Sequence, residues 1–132
     1  MSYAAPVRTA TILIVEDESD IQATLRLSLE VDGYDVVAAS SAGDALRALE
    51  RSVPDLILLD ITLPEVSGWD LLTTLRADRR FASLPIIVLS GLPNEEVSVR
   101  ASALGAGHLS KPFDVKALGD TVRSALEAGA RS

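Results

Sequence analysis

The chain has 132 residues, 48% of them hydrophobic, which suits one domain with a real core and hardly allows two. Twelve basic against nineteen acidic residues give a net charge of −7, a poor electrostatic match for nucleic acid or an anionic membrane surface. Cysteine is absent and His108 is the single histidine, which excludes disulfides, thiolate metal sites and multi-histidine metal sites.

No apolar run approaches the ~20 residues of a membrane span. Residues 1–10 (MSYAAPVRTA) lack the apolar stretch of a secretory signal. A soluble cytoplasmic protein is the expectation.

The first element is Thr11–Val15 (TILIV), continuous and β-branched, as in a strand buried on both faces. Asp20 to Val31 places Ile21, Leu25 and Leu29 at helical spacing, and Gly33 closes that helix. A weaker strand follows at Asp35–Ala39, then a helix from about Ala42 to Arg51. Asp55–Asp60 (DLILLD) is a second continuous apolar run, bracketed by Pro54 and ended by an acid. Gly68–Arg79 reads as helix, with Trp69, Leu72 and Leu75 on one face. Pro85 opens the run Ile86–Leu89. Asn94 is placed to cap a helix to about Leu104, which Gly105 to Gly107 breaks before a short strand at His108–Ser110. The last helix spans about Val115 to Glu127, with Leu118, Val122 and Leu126 facing inward.

This fivefold alternation predicts an α/β fold, a doubly wound five-stranded parallel sheet with helices on both faces, of flavodoxin-like type. No linker, low-complexity tract or internal repeat interrupts it. Residues 1–10 read as an N-terminal extension, 11–127 as the domain and 128–132 as a frayed tail.

In open α/β sheets ligands bind beyond the carboxyl ends of the strands. The first strand ends in Glu16-Asp17-Glu18, the third in Asp60, the fourth in Ser90-Gly91 and the fifth in Ser110-Lys111-Pro112. Carboxylates packed together repel unless a cation or protons neutralise them. An all-oxygen set suits a hard cation such as Mg²⁺, which binds phosphate oxygens. A carboxylate is also a competent nucleophile toward phosphorus. Lys111 offers a positive charge to a transferred group, and the Ser90 hydroxyl can donate to a phosphate oxygen. Taken singly, each residue has a plainer reading. Glu16, Asp17 or Glu18 can cap a helix, Asp60 can open a turn, and Ser90 and Lys111 can be surface groups. Their convergence from four strand ends favours a site, with Glu18 left as a cap or a solvated charge.

These residues resemble the receiver domain of two-component response regulators, in a single-domain, chemotaxis-regulator-like form, from about Thr11 to Leu126. The resemblance rests on ILIVEDE (12–18), LILLDITLPEVSGWDLL (56–72), IIVLSG (86–91) and ALGAGHLSKPF (103–113) in this order and spacing. It implies that Asp60 is the phosphoacceptor, taking its phosphoryl group from a sensor histidine kinase or a histidine phosphotransfer protein. It further implies Mg²⁺ held by Glu16, Asp17, Asp60 and the backbone carbonyl of Thr62, with glutamate where many receivers have a first aspartate. Ser90 matches the family's Ser/Thr switch position and Lys111 its lysine, with a cis peptide expected at Lys111-Pro112. Gly68 serves the turn after the active-site loop, whose Pro64 fits the family pattern. Thr62 and Leu92 flank the site and tune water access.

One departure concerns the switch. The family commonly carries Tyr or Phe three residues before the lysine, and this chain has His108. Two readings stand for it, a smaller polar switch residue and a half-buried edge residue with no switching role. The signal is expected to leave through the surface of the fourth helix, fifth strand and fifth helix, which includes Glu95, Glu96, Arg100, His108, Lys116 and Arg123. A downstream protein is the expected target, with no direct nucleic-acid or membrane contact. Ala117 and Thr121 stand where receivers with winged-helix domains carry dimer-forming charges. A stand-alone receiver is expected, although a piece of a longer regulator would read identically. The expected activity is self-phosphorylation with slow autodephosphorylation rather than enzymatic turnover. An aspartyl-phosphate phosphohydrolase shares the chemistry, but Thr62 occupies the position of its usual second acid. A non-phosphorylated pseudo-receiver is the other alternative.

Overall fold

The computed structural model describes residues 9–63, 66–91 and 94–130. Five strands and five helices alternate. They are β1 (Thr11–Val15), α1 (Ser19–Val31), β2 (Asp35–Ala39), α2 (Ala42–Arg51), β3 (Leu56–Asp60), α3 (Gly68–Ala77), β4 (Ile86–Ser90), α4 (Asn94–Ala103), β5 (Gly107–Ser110) and α5 (Val115–Ala130). The strands form one parallel sheet in the order β2-β1-β3-β4-β5. The expected doubly wound architecture is present.

Strand periodicity explains why the sheet is covered on both sides. Successive side chains leave a strand on opposite faces, so a run without polar positions has two faces to bury. Ile12 and Ile14 of β1, Leu56 and Leu58 of β3, and Ile87 and Leu89 of β4 join one core with Leu25 and Leu29 of α1 and Leu118 and Val122 of α5. The intervening residues, among them Leu13, Ile57 and Val88, join the other core with α2, α3 and α4. Strand β2 lies at an edge and alternates exposed and half-buried positions before Ala39, which accounts for its weaker apolar pattern.

Several boundaries differ from the sequence reading for local reasons. Strand β3 starts at Leu56 because Asp55 turns its carboxylate to accept from the Thr11 N–H at 2.7 Å. Helix α3 ends at Ala77 rather than Arg79, since the Asp78 carboxylate accepts from the Arg80 N–H at 2.9 Å and folds the chain into a turn. Helix α5 continues through Ala130, so residues 128–130 are helical rather than a frayed tail. Gly33 ends α1 as expected, with φ of 94°, a conformation that costs glycine little. Glu18 occupies the N-cap position of α1, but its side chain makes no capping hydrogen bond. The expected Asn94 cap and Pro64 and Leu92 lie outside what the structure describes. Among the described residues no helix is long and apolar enough to cross a membrane.

Strand β1 sits between β2 and β3, so the chain reverses its direction of travel across the sheet there. A crevice opens beyond the carboxyl ends of β1 and β3 at such a switch point.

Candidate functional site

That crevice brings Glu16, Asp17, Asp60 and Lys111 together, with Ser90 at the end of the neighbouring strand. Glu16 follows β1 directly and is fully buried, Asp60 ends β3 at 1% exposure, and Ser90 ends β4 at 1% exposure. Asp17 is exposed. One carboxylate oxygen from each of Glu16, Asp17 and Asp60 lies within 4.8 Å of the others. Lys111, the residue after β5, reaches back so that its Nζ stands 2.8 Å from Glu16 Oε1 and 3.3 Å from Asp60 Oδ2. The Lys111 N–H donates to the Ser90 carbonyl at 2.8 Å and ties the ends of β4 and β5 together. The Lys111-Pro112 peptide is cis, as the family pattern implied.

Asp60 is held in one rotamer. Its Oδ1 accepts from the Thr62 N–H at 2.9 Å and from the Thr62 hydroxyl at 2.8 Å. Behind it, Gly68 begins α3 against the strand. A Cβ on Gly68 would stand 2.4 Å from Ile61 Cα and 2.5 Å from the Asp60 carbonyl oxygen, so the absence of a side chain is a steric requirement. The Ser67 hydroxyl accepts from the Asp70 N–H at 3.2 Å and caps the same helix end.

The two buried carboxyls are pushed in opposite directions. Burial, reinforced by the hydrogen bond to Asp60, raises the Glu16 pKa to about 7, with the Lys111 hydrogen bond opposing. Burial also pushes Asp60 upward, but the hydrogen bonds from Glu16 and from the Thr62 N–H and hydroxyl, with the Lys111 charge, outweigh it and hold Asp60 below the usual range. Without a cation, burial thus favours the protonated form of Glu16, while the donors around Asp60 favour its ionised form. Burial alone would lower the Lys111 pKa, but the Glu16 hydrogen bond and the Asp60 charge raise it, so this ammonium stays charged. The result is a buried carboxylate beside a lysine ammonium.

The surface expected to carry the readout is less uniform. His108 is half-buried on β5, and its Nε2 lies 3.1 Å from the Ser110 hydroxyl. Glu95, Glu96, Arg100, Lys116 and Arg123 are exposed. Lys116 and Arg123 both pair with Asp120, and the Arg100 guanidinium stacks 4.5 Å from the centre of the Trp69 ring on α3.

Two contributors escaped the sequence reading. The Thr62 side chain was weighed for water access, not as a donor to Asp60. Gln22 was taken only as a position within the first helix, yet its side-chain amide donates to the Glu16 carbonyl at 2.9 Å. A polar residue beside the apolar stripe of α1 is the single sequence signal for it, and that signal names no partner.

Comparison with known proteins agrees with this geometry. A family model described as the response regulator receiver domain matches residues 12–123. The transcriptional regulatory protein KdpE of Mycobacterium tuberculosis is 37% identical over 116 residues, covering 87% of this chain and 50% of that protein. The chain thus spans about half the length of that relative. The CheY-like response regulator receiver domain protein of Methanospirillum hungatei superposes with a TM-score of 0.85 at 30% identity, over 94% of this chain and 98% of that one. The chemotaxis protein CheY4 of Vibrio cholerae gives 0.84 at 27% identity, over 89% and 99%.

Proposed function

The chain belongs to the response regulator receiver family, and from that premise we propose that Asp60 is the phosphoacceptor of a two-component relay. The observation that carries this reading is a carboxylate in a buried position, 1% exposed and 3.3 Å from the Lys111 ammonium. An Asp60 oxygen attacks the phosphorus of a phosphohistidine on a sensor histidine kinase or a histidine phosphotransfer protein. The new P–O bond forms as the P–N bond breaks, and the departing imidazole keeps the electron pair and takes up a proton. Thr62 fixes the rotation of the attacking carboxylate. Lys111 neutralises charge on the transferred group, which a rigid ammonium does without reorganising at the moment of transfer.

The donor set fits Mg²⁺. It is all oxygen, and three carboxylates in one crevice share a single lysine as counter-charge, which leaves room for a hard cation. Glu16, Asp17, Asp60 and the backbone carbonyl of Thr62 would hold it. When bound, it supplies positive charge to the carboxylates and to the phosphoryl oxygens.

Once Asp60 is modified, the Ser90 hydroxyl donates to a phosphoryl oxygen and the connection after β4 follows. That motion changes the α4–β5–α5 surface, where a downstream protein reads the state. His108 acts as the second switch residue by leaving its Ser110 partner. The receiver unit begins at residue 11 and ends with α5, acts in the cytoplasm, and makes no direct nucleic-acid contact. Thr62 presents a hydroxyl where a hydrolase would present a base, which favours a slowly lost phosphoryl group and a switch rather than an enzyme.

Incubation with acetyl phosphate or a phosphorylated sensor kinase in Mg²⁺ tests the reading. Intact-mass measurement should show one added phosphoryl group, absent in Asp60→Asn. No incorporation from either donor would identify a non-phosphorylated binding module, and rapid steady turnover of the donor would identify a phosphohydrolase.

A further inference from the structure

Glu16 and Asp17 are successive residues, and in extended backbone successive side chains leave on opposite faces. Both nevertheless bring a carboxylate oxygen into one group with Asp60. The peptide between them lies just past the end of β1 at Val15, and the Glu16 carbonyl forms part of it. The Glu16 N–H still belongs to the sheet edge, donating to the Ala39 carbonyl at 3.0 Å. The Glu16 carbonyl does not continue that ladder. It accepts from Gln22 Nε2 at 2.9 Å. The same amide nitrogen lies 3.3 Å from the Ala39 carbonyl and 3.4 Å from the Ser40 hydroxyl. Carbonyls can only accept, so the amide faces both with its nitrogen, although the Ala39 carbonyl already takes the Glu16 N–H.

We propose that Gln22 is a positioning residue. By gripping the Glu16 carbonyl, it turns the Glu16–Asp17 peptide so that two adjacent acids serve one cation. The inference rests on the reading that these acids hold Mg²⁺. Gln22 is well placed for this because it stands on the first turns of α1, where its own N–H donates to the Glu18 carbonyl at 2.9 Å. A rigid helix thus carries the donor, and the Ala39 contact references it to the neighbouring strand. Groups that orient metal ligands without touching the metal typically alter affinity by about 10- to 100-fold when removed.

The test is calorimetric titration of the folded chain with MgCl₂, alongside metal-free melting. Gln22→Met keeps the length and helix preference and removes the donors, and it should weaken Mg²⁺ binding by roughly 10-fold or more. Gln22→Lys restores a donor and should recover most of the affinity, although it adds positive charge near the cation. Gln22→Glu adds a negative charge but sets an acceptor against two carbonyls, so it should bind Mg²⁺ more weakly than wild type. Simple electrostatics predicts the reverse order for the last two variants. Unchanged affinity in Gln22→Met, or tighter binding in Gln22→Glu, would overturn the inference while leaving the receiver reading intact. Should Gln22→Met not fold, the Lys and Glu variants decide by their order alone. Wild type that takes up no Mg²⁺ would overturn both readings.

Discussion

Raising the pH without a divalent cation should loosen this fold, because Glu16 carries a proton in the native state that it lacks when unfolded. Burial raises its pKa from 4.5 to about 7, so protonated Glu16 contributes stability that is full below about 4.5 and disappears as pH rises through about 7. Between about pH 5.5 and pH 8, a gap of that size removes about 2 kcal/mol. For a domain of this length that lowers the melting temperature by roughly 6 to 10 °C. Asp60 has the opposite sign. Its pKa is lowered, so its contribution is present above its unfolded value of 3.8 and is lost only as pH falls through its folded value. It is therefore flat across this window. Lys111 is raised and its contribution is constant well below its unfolded value of 10.5. Thermal melts at the two pH values, with chelator and with saturating Mg²⁺, measure the effect. The drop should appear in chelator, shrink or reverse in Mg²⁺, and flatten in Glu16→Gln. A Glu16→Gln protein that keeps the full drop, or wild type that melts equally at both pH values in chelator, would refute the reasoning.

Three substitutions probe the supports of the site. Gly68→Ala forces a methyl against Ile61 Cα and the Asp60 carbonyl, so it should cost about 1 to 3 kcal/mol in urea unfolding and slow acetyl-phosphate labelling of Asp60. Arg76 donates to the Leu104, Phe81, Leu84 and Gly105 carbonyls. Arg76→Ala leaves these four acceptors without that donor and should cost about 2 to 3 kcal/mol by the same assay, with wild-type Mg²⁺ affinity. Arg100→Ala removes the cation stacked on Trp69. It should cost about 0.5 to 1 kcal/mol and shift the emission of the chain's single tryptophan.

The fold was legible because its signals are local and repeated. ILIV, LILL and IIVL each lack a polar position, and that lack alone predicts burial on both faces. The strand-end rule then put Glu16, Asp60, Ser90 and Lys111 on one edge before any distance was known. What stayed hidden depends on particular side-chain contacts, some between distant segments and some only two residues apart. The extension of α5 to Ala130 is an example, since Gly129 allows the helix to pack closely on Pro85. Asp78 was read as helix interior, yet its carboxylate competes for the Arg80 N–H and ends α3 early. His108 was left between two roles, and the Ser110 contact that constrains it is a side-chain geometry no spacing rule supplies.

The site itself does not stabilise the chain in any simple way. Two fully buried carboxyls and one partly buried ammonium have lost hydration that their mutual attraction does not clearly return. The apolar sheet beneath must offset that cost, and the continuous runs of β1, β3 and β4 give it the core to do so. Hydrophobic residues at positions 16 and 60 would pack against the same strands at lower cost. The chain instead places acids there, fixes one of them with Thr62 and buries the other against Lys111. A local rule broken this consistently, on one edge and with complementary groups, marks the place where structure serves chemistry rather than stability. A cation or a phosphoryl group, on the proposed function, would act here because either one changes the charge balance of this cluster.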